Sequence, residues 1–312
     1  MKTKILLTTV SAFFILHSAF AQGALTPPGP PAPTMKTLNQ IEPRLPISSA
    51  PFIIFTSGSY YLTTNLTVST GGAIAITVSG VTFDLNGFTI SSTTPNAVSG
   101  GSAIQISSGL SDITIANGHI RSGVTNNGSG VFSGSGFSAG VSYIGSTAPV
   151  NVLVSKVSVS GCLTNGIELG RGDATVVEAC TARTIGGDGI TASTIKSCVA
   201  TDCGNYAIYG DQVSDCRGSS VGNAGIGIYA DTALNCYGFG TGSGTGISAV
   251  NAQNCHGWDS GNGYGVYVYG TASGCFGYSG IGTGLYAFIG SVCRGTTAGG
   301  TPFNITHNVN SF

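Results

Sequence analysis

Charge is what this sequence has least of. Only 7% of its 312 residues are Asp, Glu, Lys or Arg, against about 25% in an ordinary globular protein. The 11 Lys and Arg are scattered, so they cannot build the basic stripe that nucleic acid requires. An anionic membrane surface is excluded on the same ground. Leu, Glu, Lys and Arg are too sparse for a helical bundle or a coiled coil. Beyond Leu16 every apolar run is broken by Gly, Ser or Thr, which leaves the mature chain no segment able to span a bilayer.

What the chain has instead is 50 glycines and nine cysteines. Chains rich in Gly, Pro and Ser are often disordered. This one is 41% hydrophobic with a mean hydropathy of +0.30, more apolar material than disordered chains carry. Lys2 and Lys4, the apolar run Ile5 to Leu16 and the small-x-small triplet Ala19-Phe20-Ala21 have the layout of a secretory signal peptide. The expected organisation is a signal over 1–21, a Pro-rich linker and N-terminal cap over 22–51, a repeat domain over 52–300 and a tail over 301–312. Thr34 is placed to cap a short helix carrying Met35, Leu38 and Ile41, ended before Pro43. The mature protein is expected to be secreted, periplasmic or at the cell surface.

The cysteines reveal the repeat. Cys162, Cys180, Cys198, Cys216, Cys236, Cys255, Cys275 and Cys293 follow one another at steps of 18 to 20 residues, and only Cys203 lies outside the series. A fixed period of this length marks a solenoid. Each unit then reads as a Cys-bearing strand, a Gly-rich turn and a second strand. Stacking of successive units predicts an inward ladder of Ile167, Ile190, Ile208, Ile228, Ile247, Val266 and Leu285, in about 11 coils spaced like hydrogen-bonded strands. Gly six residues after Cys, as at Gly186, Gly204 and Gly222, is expected to serve left-handed corners. Parallel projection of stacked cysteines disfavours disulfide torsions, so the thiols are expected to be buried and free.

The earlier half carries the same architecture in longer coils. Val81-Thr82-Phe83-Asp84-Leu85-Asn86-Gly87-Phe88-Thr89-Ile90 is answered 31 residues later by Ile113-Thr114-Ile115-Ala116-Asn117-Gly118-His119-Ile120. The Ser/Gly-rich stretches 91–102 and 122–140 read as insertions at one corner. The variable coil length departs from the hexapeptide coils of left-handed β-helices, and the units lack the leucines of a leucine-rich repeat. The Asn-Gly corners, the coil repeats and the segment Ser57 to Leu62 resemble exported bacterial right-handed parallel β-helix proteins of the pectate-lyase-like superfamily. The resemblance covers about residues 52–295 and implies an all-β, single-stranded right-handed parallel β-helix; it is nearly silent on function.

Candidate chemistry is sparse. Asp211 and Asp231 follow Tyr209 and Tyr229 by two residues, which places two carboxylates on neighbouring rungs. They read either as an acid pair of the kind that cleaves glycosides or as solvated turn residues. Arg217 is the nearest basic residue in sequence. His119, His256 and His307 lack metal-ligand spacing, and no pattern calls for a cofactor. The aromatic columns say more. Tyr237, His256 and Phe276 stand one residue after successive cysteines, and Phe239, Trp258 and Tyr278 stand three after. Strand alternation points both sets outward, giving a grid of six rings. An uncharged, ring-lined strip suits the flat faces of a neutral polysaccharide. A second outward ladder joins Tyr209, Tyr229, Tyr267 and Tyr286. The expectation is an exported, non-catalytic solenoid that binds a neutral glycan or serves as a surface or matrix component. The alternative is a carbohydrate-active lyase, hydrolase or epimerase.

Overall fold

A computed structural model of the protein describes residues 43–310 except 173. The signal peptide expected over 1–21 and the helix expected over 34–42 lie outside the described residues. The chain is an all-β, right-handed parallel β-helix of about 13 turns with 61% strand. Twenty-seven strands join one parallel sheet. The stack is longer than the repeat domain read from the sequence. Leu45–Ile47 already pairs with Tyr60–Leu62, and the residues read as a tail form the strand Thr301–Val309 against Thr283–Ser291.

The apolar ladder closes as its spacing dictates. Ile167, Ile190, Ile208, Ile228, Ile247, Val266 and Leu285 pair in unbroken register and all are fully buried. Each coil presents a short first strand after its cysteine, such as Tyr237–Gly240 or His256–Asp259, and a long second strand, such as Thr245–Gln253. The second strand carries two successive outward residues near its middle, Val250 and Asn251 in that case. The wall there turns to begin a third face.

Left-handed corners sit one residue before the cysteines; of the glycines six residues after, Gly242 is left-handed, with φ +65°, whereas Gly186, Gly204 and Gly222 are not. Ser197, Asp215, Asn235, Asn254 and Val292 all have φ near +50°. Asn and Asp tolerate that conformation, and three of them bond along the axis, Asn235 Nδ2 donating to Asp215 Oδ1 at 3.1 Å and Asn254 Nδ2 to Asn235 Oδ1 at 3.4 Å. Gly186, Gly204 and Gly222 have no such φ. They are glycine because a Cβ would run into the backbone: at Gly204 it would meet the Gly186 carbonyl, and at Gly222 the Gly204 carbonyl. Lack of space, not backbone handedness, selects glycine there.

All nine cysteines are buried and free. From Cys180 onward each ladder thiol lies against the carbonyl two residues before it, which the left-handed corner leaves inside the coil. The Cys236 thiol is 3.1 Å from the Leu234 carbonyl oxygen and 3.5 Å from that of Val213. Cysteine suits this position as a small apolar filler with a weak S–H donor. Burial pushes the Cys162 thiol up to about 12, so it stays protonated and unreactive. Native protein treated with iodoacetamide at mildly alkaline pH is expected to stay unmodified, with every cysteine alkylated after unfolding. Mass spectrometry reads both states, and alkylation of the native ladder would overturn this placement.

The stretch 122–140 forms an antiparallel hairpin, Gly123–Asn126 with Phe132–Ser135. It folds back along later coils: Asn126 Nδ2 donates to Asp202 Oδ1 at 2.7 Å, and Phe132 lies beside Gly186 and Gly204. The stretch 91–102 holds a single 3-10 turn, Ala97–Ser99.

Candidate functional site

The six rings of the grid form two columns. Tyr237 pairs with His256 and His256 with Phe276; Phe239 pairs with Trp258 and Trp258 with Tyr278. All six are half-buried and alternate with inward glycines or small residues. The glycines at the position between the columns do not bend the strands, and the alternation holds.

The two columns pack differently. In the first, Tyr237 and His256 meet edge-on at 5.2 Å, and His256 and Phe276 at 4.6 Å. Arginines close both ends, Arg217 at 5.0 Å from the Tyr237 ring centre and Arg294 at 6.0 Å from that of Phe276. Each cation over a ring face contributes about 0.5–1 kcal/mol at an exposed site. Burial pulls the His256 pKa down, which keeps the imidazole neutral between two rings. Ring and cation contacts hold this column together, while the buried His256 Nε2 makes no hydrogen bond. In the second, Trp258 stacks on Tyr278 with centroids 4.0 Å apart and an interplanar angle of 29°. Phe239 makes no ring contact with the indole, so Trp258 is stacked on one side only. The loop after Trp258 is fixed by the fully buried Asp259, whose Oδ2 accepts from Gly261 N and Gly263 N at 2.9 Å each.

The Tyr ladder on the second strands is in register from Tyr209 to Tyr229 and from Tyr267 to Tyr286, with the buried Ser248 between the two pairs. Tyr267 and Tyr286 stack at 4.7 Å and 16°.

Asp211 and Asp231 do lie on neighbouring rungs, flanked by the register pairs Gly210–Ala230 and Gln212–Thr232. Their cation is not Arg217. Arg171, contributed by a turn some 40 residues before Asp211 and two coils back, places its guanidinium 2.6 Å from Asp211 Oδ1 and 3.0 Å from Asp231 Oδ1. It also lies 4.4 Å from the centre of the Tyr209 ring. Gly172 N donates to Asp211 Oδ2 at 3.0 Å. Both carboxylates are thus occupied by contacts within the chain.

A carboxylate not singled out by the sequence sits nearby. Glu168 occupies the Tyr column two rungs before Tyr209 and is half-buried. Burial, then the charge of Asp188, pushes its pKa up to about 7, against the opposing pull of the Gly170 N–H and the Thr191 hydroxyl. Burial also raises Asp188, which accepts from Asn205 Nδ2 at 2.7 Å. The signal for Glu168 was in the sequence: it is a charged residue directly after the ladder residue Ile167, where later coils carry Thr191 and Tyr209. Among the described residues no three His, Cys, Asp or Glu side chains form a metal-binding group. No described helix is long and apolar enough to cross a membrane.

Fold and surface together define a parallel β-solenoid whose outer wall carries in-register columns of rings. The solved structure of ORF18 of Geobacillus virus E2 is similar at 13% sequence identity and a TM-score of 0.46, over 85% of this chain and 56% of that one. The chain therefore spans a little over half the length of that protein. No family model and no curated protein matches the chain.

Proposed function

We propose that this protein is an exported, non-catalytic β-solenoid of the pectate-lyase-like type that binds a neutral glycan or serves as a surface or matrix component. The observation that carries the reading is the one-sided stacking of Trp258 within an in-register grid of half-buried rings. A sugar ring laid on the indole gains dispersion and CH–π contact without needing a charged partner. Export rests on the layout of residues 1–21.

One observation favours the enzymatic alternative: a carboxyl group poised near neutrality, Glu168, on the same face as Arg171, Asp211 and Asp231. A group titrating near the working pH is what general acid–base chemistry requires. Arg171 speaks against it, because the acid pair is already spent on an internal cation.

A glycan array run beside a reducing-sugar assay on the same polysaccharides tests both readings. Neutral glycans are expected to bind, to shift the fluorescence of the single Trp, and to remain uncleaved. Trp258→Ala is expected to weaken binding by about 1–3 kcal/mol, by analogy with aromatic stacking platforms. A correctly folded Trp258→Ala protein that binds every wild-type ligand unchanged shows the grid to be structural. Cleavage lost in Glu168→Gln establishes the enzyme.

A further inference from the structure

Beyond the turn in the second strands, the outward side chains of the third face line a shallow groove parallel to the stacking axis. Thr194, Gln212, Thr232 and Asn251 follow one another on consecutive rungs along one side. Ser214, Leu234, Gln253 and Ser273 follow one another along the other. Val213, Ala233 and Ala252 form the buried floor between them. Two adjoining cavities of about 460 and 340 Å³ occupy the groove and share Thr232 and Leu234.

Two properties set this groove apart. No charged side chain lines either cavity. Two of its amides are also unspent: Asn251 Oδ1 accepts from Thr271 N at 3.2 Å, but the amides of Gln212 and Gln253 make no hydrogen bond to another described residue. The neighbouring corner column behaves differently, bonding Asn to Asp along the axis. Each free amide offers two donors and an acceptor to a ligand.

We propose that this groove is a second binding track, taking one extended neutral polysaccharide chain along the solenoid axis. The proposal rests on the neutral-glycan reading above and adds a separate site on another face of the coil. Gln212 and Gln253 hydrogen-bond sugar hydroxyls, while Leu234 and the Val213–Ala233–Ala252 floor contact the apolar ring faces. The chemistry selects this occupant. A polyanion finds no cation in the lining. An extended peptide needs an open strand edge, and these strands are paired on both sides. The rung spacing of about 4.8 Å is close to the advance of one sugar unit in an extended chain, so equivalent side chains meet successive units.

The test compares wild type, Gln212→Ala/Gln253→Ala and Trp258→Ala by titration calorimetry against laminarin, galactomannan, polygalacturonate and cello-oligosaccharides of increasing length. Both glutamines are exposed, so the double variant is expected to fold as the wild type does by circular dichroism. It is expected to bind the long chains at least about tenfold more weakly, the loss of one to two net hydrogen bonds. Shortening the ligand is expected to remove the difference. Wild-type affinity of the double variant for long chains, with loss in Trp258→Ala, overturns the groove and leaves the glycan reading standing. Failure of the wild type to bind any of these probes overturns both. Preference for polygalacturonate over the neutral chains overturns the groove as well.

Discussion

Replacing Glu168 by Gln is expected to stabilise the folded protein by up to roughly 3 kcal/mol near pH 8 and to change nothing below about pH 4. The cause is the mismatch between site and charge. Glu168 stands in an outward column but is half-buried, and Asp188 adds like charge, so its pKa rises from 4.5 to about 7. A folded-state pKa above the unfolded value means that the native state holds the proton longer. The associated stability is complete below about 4.5 and is lost as pH climbs through about 7. Gln keeps the shape and removes the charge, so the variant lacks that decline. Asp188 and Asp259 are also raised by burial and tilt both proteins in the same sense. The difference between wild type and variant reports Glu168 together with its repulsion of Asp188. Denaturant midpoints collected across this pH range measure it, and parallel curves for the two proteins would show that Glu168 is solvated like any surface carboxylate.

The inward ladder, the buried thiols and both ring columns were legible in the sequence because each depends on spacing alone. In a parallel solenoid, one period aligns every column at once, so eight cysteines fixed the rung register of residues far from them. Two features were illegible for a common reason. Arg171 reaches Asp211 and Asp231 across two coils, from a turn outside the repeating columns, where the period carries no information. The groove beyond Asn251 depends on a local turn in the strand, which sets two outward residues in succession. Strict alternation does not foresee it. The glycines were a third case. Composition suggested left-handed corners for glycine; Gly161, Gly242 and Gly274 do hold such corners, but Ser197, Asp215, Asn235 and Asn254 hold the others, and most of the glycine columns answer a packing demand.

That packing demand gives the second large effect: Gly257→Ala is expected to destabilise the protein by about 3 kcal/mol or more. Gly238, Gly257 and Gly277 form the inward column between the two ring columns. They face Gly246, Gly265 and Gly284 of the second strands, whose carbonyl oxygens a Cβ at the first-strand position would strike. The coil is there only two backbones thick. A methyl group on Gly257 would meet the Gly265 carbonyl and the Val266 side chain, and both neighbouring rungs repeat the same constraint, so the two walls cannot part at one coil alone. Overpacking a rigid interior costs about 1–3 kcal/mol and more where backbone must move. The same substitution at Gly295 is expected to cost less, because its opposing carbonyl belongs to Pro302, in the strand Thr301–Val309, which has no described strand beyond it to resist a shift. Denaturant midpoints for the two variants should therefore rank Gly257→Ala well below Gly295→Ala, with Trp258 fluorescence reporting the displaced grid in the former. Equal midpoints, or a Gly257→Ala protein as stable as the wild type, would show that the walls are far enough apart for a side chain between them. The columns of rings would then owe their alignment to ring packing alone.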